Sequence, residues 1–211
     1  MGQIAPGILY RSNHPIRNNK QVKEVVLAVN AAKIKTVINL CDSMSSLQIK
    51  VFCCPLYRSL LEKNRVITLN MSMNFSPLDN TFLRQIKDAL IYMSEREGPY
   101  LIHCEAGMDR TGFFAIMLES LMSVSMDEIA RDYMLSYVEE HEYSEDDEKN
   151  GYRFLANLFT TIKGKALNQD DDPQILFTKY LKEKVRISDD VLALLIRKLR
   201  GLSGEDEGSK P

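Results

Sequence analysis

The sequence predicts an α/β protein with a central, mainly parallel sheet flanked by helices on both faces and a helical C-terminal extension. Strand-like apolar runs alternate with helical patterns over about residues 1–137, and this order implies parallel strands joined by crossovers. Over about residues 150–200 only helical patterns remain. We therefore expect one domain over residues 1–200, and a disordered tail at 201–211 because that segment is polar and contains glycine.

Four strands are expected in the first half of the chain, because short apolar or β-branched runs there are bounded by polar residues. They lie at residues 8–10, 35–40, 65–69 and 100–102. Two helices are expected between them, at 19–32 and 81–95, where apolar residues recur three or four positions apart. Residues 44–62 are poorly patterned and predict only a helical turn at 56–61, and residues 70–79 predict a loop.

The second half of the chain predicts helices joined by polar segments. An apolar run at 113–122 is long enough for a buried helix, and Ser125 with Glu128 forms a capping box for the next one. Residues 139–149 hold seven acidic side chains, which predicts a solvated loop, with recognition of a basic partner as the alternative. Further helices are expected at 152–162, after the cap Asp172 and after the cap Ser188.

Composition narrows the class of function. The chain has 211 residues, is 45% apolar and carries a net charge of −2, so nothing indicates binding to nucleic acid. No run approaches the length of a membrane-spanning helix, and no apolar run follows a basic N-terminal patch, so neither membrane insertion nor secretion is expected. The four cysteines show no zinc-binding spacing and fit a reducing compartment, so we expect a cytoplasmic protein without metal or cofactor.

The segment from His103 to Gly112 carries the chemistry. It joins the strand at 100–102 to the helix at 113–122 through a short loop, and such a helix start attracts anions through its unpaired N–H groups. A cysteine in the position of Cys104 ionises readily to a nucleophilic thiolate. Arg110 offers two parallel donors that match two oxygens of a phosphate.

Four other residues of this segment fit the same chemistry. Gly107 and Gly112 allow a tight turn and a close approach of the backbone to a ligand. Thr111 can donate a hydrogen bond to the cysteine sulfur and so assist its departure as a leaving group. His103 either tunes the thiolate or only braces the loop. Together with Cys104 they predict a site that takes a phosphoryl group from a substrate.

The order His-Cys, five residues, Arg-Thr-Gly resembles the signature loop of the cysteine-dependent protein tyrosine phosphatase superfamily. The version Cys-Glu-Ala-Gly-Met-Asp-Arg-Thr-Gly is most similar to its atypical, largely microbial branch. The resemblance implies that Cys104 forms a phosphocysteine and that Asp109 is the general acid. It also implies that phosphate binds to the Arg110 guanidinium and to the loop amides, which belong to Glu105, Ala106, Gly107, Met108, Asp109 and Arg110.

One position departs from that branch. Met108 stands where the branch usually carries a lysine. The missing cation counts against activity on polyphosphorylated inositols or phosphoinositides.

Three residues outside the loop have two interpretations each. Arg11, in a Tyr-Arg-Ser segment that is also similar to this branch, either supports the phosphate loop or lies on the surface. Asp79, 25 residues before Cys104, is either a backup general acid, as upstream aspartates are in the superfamily, or the N-terminal cap of the helix at 81–95. Asp42 follows a strand and either lies near the site or caps the next turn.

The predicted activity is hydrolysis of a phosphate monoester, foremost as a protein tyrosine or dual-specificity phosphatase. A phosphatase of phosphoinositides or inositol polyphosphates, and a phosphate-binding module without catalysis, are the alternatives. A redox sensor, in which oxidised Cys104 is captured by Cys41, Cys53 or Cys54, is compatible with catalysis. The expected partner is a phosphorylated protein, a small phosphomonoester or a phosphorylated lipid.

Overall fold

The structure of the protein, a computed structural model, describes residues 1–16, 22–137, 144–168 and 171–202. Within these residues, one sheet consists of the strands β1 (Gly2–Ala5), β2 (Leu9–Ser12), β3 (Thr36–Asn39), β4 (Val66–Thr68) and β5 (Tyr100–His103). Their spatial order is β1-β2-β5-β3-β4. β1 pairs antiparallel with β2, and the other neighbours are parallel. The predicted α/β fold with a mainly parallel sheet is confirmed.

Helices occupy most of the remaining described chain. They are α1 (Val22–Ala31), α2 (Met44–Lys50), α3 (Pro55–Glu62), α4 (Asn80–Ser94), α5 (Asp109–Leu121), α6 (Met126–Leu135), α7 (Glu145–Lys163), α8 (Pro173–Tyr180) and α9 (Asp189–Leu199). A 3₁₀ turn at Val51–Cys53 joins α2 to α3, and a π-helical turn at Leu181–Val185 extends α8.

The sheet separates two apolar clusters, because successive side chains of a strand point to opposite faces. Ile38 and Ile102 join the larger cluster, whereas their neighbours Val37 and Leu101 join the smaller one. Side chains of α4 to α9 complete the larger cluster, and those of α1, α2 and α3 complete the smaller. The C-terminal helices therefore share the main core with the sheet.

β5 and α5 form the centre of the molecule. All four residues of β5 are buried, and so is every residue of α5 from Arg110 to Leu121. Because α5 is buried on all sides, its residues 113–118 are all apolar and the helix has no solvent-facing polar side. The loop between β5 and α5 is thus anchored at both ends in the core.

The structure also bears out the predicted helix starts. The Ser125–Glu128 capping box begins α6, Asp172 caps α8, and Ser188 caps α9. Pro55 occupies the first turn of α3, as its missing N–H allows. The beginning of the helix expected at 19–32, and most of the tail expected at 201–211, lie outside the described residues.

The acidic segment was predicted wrongly over residues 145–149, which form the first turns of α7 instead of a solvated loop. Ser144 caps this helix and forms a capping box with Asp147. Carboxylates in a first turn are stabilised by the positive end of the helix dipole, so the acidic run favours the helix start. Residues 139–143 of the same segment lie outside the described residues.

Two further elements are absent from the predictions. β1 is a short edge strand whose pairing with β2 contains an irregularity between Gln3 and Ala5. α2 buries only Leu47 and therefore has no apolar stripe, but the Ser43 hydroxyl accepts a hydrogen bond from Ser46 N–H and caps it. In the described parts of the chain no helix is both long and apolar enough to cross a membrane.

Candidate active site

The segment from His103 to Gly112 lies at the carboxyl edge of the sheet, where β5 ends between β2 and β3. His103 is in register with Ser12 of β2 and with Asn39 of β3. The chain segments that follow these three strands therefore converge at one edge, where α/β proteins commonly bind ligands. Cys104 is the first residue after β5 and is 2% exposed.

The sulfur of Cys104 lies close to the N-terminus of α5. Gly107 N–H donates a hydrogen bond to Cys104 Sγ at 3.2 Å. α5 begins at Asp109, and its N-cap residue Met108 makes no side-chain capping hydrogen bond. The first amides of the helix consequently have no partner within it, and they add to the positive end of the helix dipole. Such donors stabilise negative charge on a sulfur or on a phosphate.

Two carbonyl groups of the loop are fixed by donors from the β2 side. Glu105 O accepts a hydrogen bond from His14 N at 3.1 Å, and Gly107 O accepts one from Arg11 Nη2 at 3.2 Å. In a trans peptide the N–H points opposite to the C=O. The N–H group that follows each of these carbonyls therefore points away from the β2 side.

The two glycines of the loop are required by close contacts. Gly107 has a φ of +78°, and a Cβ on it would lie 2.7 Å from Asn13 N and 2.8 Å from Ser12 O. A Cβ on Gly112 would lie 2.8 Å from the Tyr133 ring. Larger residues would push the loop off β2 or α5 off α6, so both positions fix the loop geometry.

Arg110 is 5% exposed although it carries a charge. Its Nη1 donates to Met71 O at 2.9 Å, whereas its Nε has no hydrogen-bond partner among the described residues. A buried donor without a partner costs about 1–3 kcal/mol, which a phosphate oxygen would offset. Because Met71 belongs to the loop at 70–79, the arginine also ties that loop to the site.

Thr111 does not make the hydrogen bond to sulfur that the sequence suggested. Its Oγ1 is buried and has no hydrogen-bond partner among the described residues. The sulfur of Cys104 accepts its hydrogen bond from the Gly107 backbone instead. The hydroxyl of Thr111 is therefore a further buried polar group without a partner among the described residues, in the first turn of α5.

Arg11 lies against the loop and not on the surface. It is 5% exposed, and besides contacting Gly107 it forms an ion pair with Asp132 of α6, with 2.5 Å between Nη1 and Oδ2. The arginine therefore joins the first parallel strand, the loop and α6. Because the pair is mostly buried, removing either partner would leave an uncompensated charge.

A second buried acid stands beside this ion pair. Glu119 of α5 is 4% exposed, and its Oε2 has no hydrogen-bond partner among the described residues. Burial, and then the negative charge of Asp132, raise the pKa of Glu119 well above its ordinary value. Glu119 is therefore neutral in the folded protein, so it places no second negative charge beside Asp132.

This neutral carboxyl predicts a pH-dependent effect of Glu119→Gln. Above its ordinary pKa of 4.5, Glu119 is ionised in the unfolded chain but protonated in the folded one, so wild-type stability falls as pH rises. Glutamine removes this term. We expect the difference in free energy of unfolding, variant minus wild type, to increase by about 1.4 kcal/mol for each pH unit above the ordinary pKa of glutamate. Urea unfolding between about pH 5 and pH 7 measures the gain.

The matched control is Glu62→Gln, because Glu62 is exposed at the end of α3. The stability of Glu62→Gln relative to wild type should change little over the same pH range. A Glu119→Gln difference that stays constant from pH 5 to pH 7 would mean that Glu119 is already ionised in the folded protein.

The two candidate general acids have different surroundings. Asp109 is the first residue of α5, is exposed, and its Oδ1 accepts a hydrogen bond from Tyr137 Oη at 2.9 Å. Asp79 caps α4, and its Oδ1 accepts hydrogen bonds from Thr81 N at 2.9 Å and Phe82 N at 3.1 Å. Asp79 therefore acts as the N-terminal cap of a helix, which was the second of its two interpretations from the sequence.

His103 is fully buried and lies in a network of neutral groups. His103 Nδ1 lies 3.4 Å from Cys104 O, which can only accept, so the ring proton is on Nδ1. Tyr57 Oη, 2.6 Å from His103 Nε2, therefore donates to the imidazole, and it accepts a hydrogen bond from Asn39 Nδ2 at 3.2 Å. Burial, followed by the neighbouring His14, lowers the pKa of His103 to about 3. A neutral ring supplies no cation to the thiolate, so these contacts favour the bracing role.

Asp42 is buried behind the loop, and Ser43, not Asp42, caps α2. Its carboxylate accepts hydrogen bonds from His14 Nε2 at 2.6 Å and from Lys50 Nζ at 2.7 Å. Burial alone would raise the pKa of Asp42, but these hydrogen bonds outweigh it and hold the pKa well below its ordinary value. His14, whose N–H holds Glu105 O, is thereby fixed in place.

Three side chains in this region are close enough to be considered as metal ligands. The donor atoms of His14, Cys41 and His103 lie within 4.8 Å of one another. Both ring nitrogens of His14 are engaged, with Asp42 and with Ile16 N–H, and Tyr57 occupies His103 Nε2. Burial, followed by the Asp42 charge, raises the pKa of the Cys41 thiol to about 12. Committed nitrogens and a protonated thiol favour a hydrogen-bonded network over a metal site.

The cysteines bear on the predicted redox chemistry. Cys41, Cys54 and Cys104 are free thiols, and the side chain of Cys53 lies outside the described residues. Cys41 is half-buried and near enough to Cys104 for their charges to interact. Capture of oxidised Cys104 by one of these cysteines stays a prediction.

Several residues that shape the site carried no functional signal in the sequence. Asp132 and Tyr137 come from α6 and the turn after it, and Tyr57 and Met71 come from α3 and a loop. Only the spacing of Tyr133 and Tyr137, four residues apart, indicates that these two share a helix face. The structure brings the others together through tertiary contacts.

Comparisons with known proteins bear on the family of this chain. A family model described as a tyrosine phosphatase family matches residues 1–201. A search of curated proteins found no match.

Proposed function

Because the chain belongs to the tyrosine phosphatase family and is thus a hydrolase of phosphate monoesters, we propose that it is a protein tyrosine or dual-specificity phosphatase acting through phosphocysteine. The observation that carries the proposal is the position of Cys104 Sγ. It lies beside the uncapped N-terminus of α5, with Gly107 N–H at 3.2 Å and the buried Arg110 in the same loop.

The first chemical step transfers the phosphoryl group to sulfur. The phosphate dianion binds to the loop amides and to Arg110, whose Nε has no protein partner among the described residues. The Cys104 thiolate attacks phosphorus in line with the leaving oxygen. The S–P bond forms, the P–O bond breaks, and Asp109 gives its proton to the departing oxygen. Positioning and electrostatic stabilisation do most of the work in such transfers.

The second step releases inorganic phosphate. Asp109, now ionised, takes a proton from a water molecule that attacks the phosphocysteine. The S–P bond breaks and the thiolate returns to its position beside Gly107. This cycle needs a reduced Cys104, so we propose a reducing compartment such as the cytoplasm.

The charges around the loop favour a singly phosphorylated protein over polyphosphates. Met108 contributes no cation, and the neighbouring Glu105 and Asp109 are acidic. Lys50 Nζ lies 2.7 Å from the Asp42 carboxylate and 3.8 Å from Glu105 Oε2, so its charge is shared between two acids. Without a cation at position 108, we expect additional phosphate groups on a substrate to gain little from this site.

A phosphate-release panel tests the substrate class. It compares phosphotyrosine peptides, phosphothreonine peptides, phosphoinositides and inositol hexakisphosphate, with Cys104→Ser as the blank. We expect phosphotyrosine peptides, with or without phosphothreonine peptides, to be turned over fastest. Faster release from phosphoinositides or inositol hexakisphosphate would contradict the protein-phosphatase proposal and favour the alternative prediction.

We expect Asp109→Asn to lower kcat for phenyl phosphate, which has a poor leaving group, by about 10²-fold or more. Asparagine keeps the shape of the side chain but cannot donate the acidic proton. Asp79→Asn is the comparison variant, and it should retain most of the activity because Asp79 caps α4. Steady-state kinetics measures both. A normal turnover rate in Asp109→Asn, with loss in Asp79→Asn, would reverse the assignment.

A further inference from the structure

Two tyrosines of α6 and the turn that follows it face the site. Tyr133 and Tyr137 are four residues apart and lie on one face of a continuing helical turn, since Tyr137 N–H donates to Met134 O at 2.9 Å. The Tyr133 ring stacks on Phe154 of α7, with 4.1 Å between ring centroids and an angle of 11°. It also occupies the space beside Gly112, so it is held between α7 and the start of α5.

The two phenols form a hydrogen-bond chain that ends at Asp109. Tyr133 Oη lies 2.9 Å from Tyr137 Oη, and Tyr137 Oη donates to Asp109 Oδ1 at 2.9 Å. Each phenol has a single proton. Because Tyr137 uses its proton on the carboxylate, the proton between the two phenols belongs to Tyr133, and the chain runs in one direction from Tyr133 to Asp109.

The hydrogen-bond chain from Tyr133 to Asp109 keeps its donors over the pH range in which the enzyme would work. Burial raises the pKa of Tyr137 and that of Tyr133 above the ordinary value of a phenol, and the nearby Asp109 carboxylate adds to this. Both phenols are therefore protonated and remain donors. Among the described residues, neither phenol has a hydrogen bond to the Cys104 sulfur or to the loop amides.

We propose that Tyr137, itself held by Tyr133, is a positioning residue that fixes the orientation of the general acid Asp109. An exposed aspartate at a helix start can adopt several rotamers, and a proton donor that is misplaced by about 1 Å loses much of its effect. The bond from Tyr137 holds Oδ1 and leaves Oδ2 to face the leaving group. This inference rests on the proposed function, because it needs Asp109 to be the acid.

The test compares Tyr137→Phe with wild type on substrates of different leaving-group quality. Phenylalanine keeps the ring and removes only the hydroxyl. For phenyl phosphate we expect kcat/KM to fall roughly tenfold, a part of what general acid catalysis contributes. For nitrophenyl phosphate, whose leaving group needs little protonation, we expect kcat/KM to change by less than about twofold, because kcat/KM covers only the steps up to loss of the leaving group and not the later hydrolysis, in which Asp109 acts as the base.

Two further variants give the result its meaning. Tyr133→Phe removes only the support of Tyr137, so it should show the same dependence on the leaving group with a smaller amplitude. In a double-mutant cycle, Tyr137→Phe should add no further loss to Asp109→Asn, because both act through one carboxyl group. Thermal unfolding of each variant checks that it is folded. If Tyr137→Phe does not fold, the leaving-group dependence of Tyr133→Phe tests the proposal instead.

The outcomes separate this inference from the proposed function. Equal losses of kcat/KM on both substrates in Tyr137→Phe, or losses that add to those of Asp109→Asn, would show a structural role and overturn the inference alone. If Asp109→Asn itself shows no dependence on the leaving group, the assignment of the acid fails, and the role of Tyr137 fails with it. Activity that survives Cys104→Ser would refute the phosphocysteine mechanism separately.

Discussion

Replacing Cys104 by serine is expected to lower kcat/KM for every phosphate monoester by at least on the order of 10⁴-fold, as removal of a covalent nucleophile does in other enzymes. A serine hydroxyl needs a general base to attack phosphorus. His103, which precedes Cys104 in the chain, cannot serve, because it is buried and its Nε2 already accepts a hydrogen bond from Tyr57. The variant should therefore bind phosphate without turning the substrate over.

Binding and chemistry can be measured separately in this variant. Calorimetric titration with phosphate should show affinity within about fivefold of wild type, because the loop amides and Arg110 are unchanged. In wild type, and more strongly in Asp109→Asn, acid quenching during turnover should trap phosphate on Cys104, where mass spectrometry can locate it. Phosphate trapped on a different residue would refute the proposed nucleophile.

Cys54→Ser is the matched control for this substitution. Cys54 is also a buried cysteine, but it lies in the smaller core cluster at the N-cap position of α3, where it makes no capping hydrogen bond. Serine is a favoured N-cap residue, so the new hydroxyl can bond to the first amides of α3. We expect full activity, so a large loss in Cys54→Ser would mean that thiol loss in general, and not loss of the nucleophile, explains both results.

The parts of the fold that the sequence predicts best are those whose burial is uniform. β5 and α5 lie at the centre, and a segment that is buried on all sides is apolar over most of its length, as residues 100–102 and 113–118 are. Their apolar runs therefore identify them without any knowledge of their neighbours. The loop between them follows directly, because a strand and a helix that are both anchored in the core leave it little freedom.

Elements with few buried residues are predicted poorly for the same reason. α2 buries only Leu47, so its sequence has no periodicity to detect, and it depends on the Ser43 cap and on the ion pair of Lys50 with Asp42. The first turns of α7 are acidic and were taken for a loop. There the capping box of Ser144 and Asp147 was a usable signal, because a hydroxyl three residues before an acid marks a helix start.

The site likewise has a part that the sequence predicts and a part that it does not. Cys104 and Arg110 lie in one loop, so their spacing alone brings them together once strand, loop and helix are recognised. The residues that position this loop are distant in sequence. Arg11 of β2 bonds to Gly107 O, Asp132 of α6 pairs with Arg11, and Tyr137 bonds to Asp109 at the start of α5. Such contacts arise from how helices dock on the sheet, which no local pattern in a single sequence encodes.

The charge and the shape of Arg110 make separate contributions, and Arg110→Lys distinguishes them. Lysine keeps a positive charge but loses the planar fork that can bind two phosphate oxygens at once. We expect kcat/KM to fall by about 10²–10³-fold, comparable to losing a preorganised donor in an oxyanion hole. Most of the loss should appear in kcat, because negative charge on the transferred oxygens is redistributed in the transition state and the fork is placed to follow it.

The substitution also removes the bond from Arg110 Nη1 to Met71 O, so stability has to be measured beside activity. Thermal unfolding should show only a small decrease, because Phe75 of the same loop stacks on Phe82, with 4.5 Å between ring centroids, and keeps the loop in place. The control is Arg58→Lys, whose guanidinium lies over the Phe52 ring at 5.2 Å; it should leave kcat/KM within about twofold. If Arg110→Lys keeps kcat near the wild-type value and raises only KM, the guanidinium binds the ground state and transition state equally, and its proposed role in the transfer step is wrong.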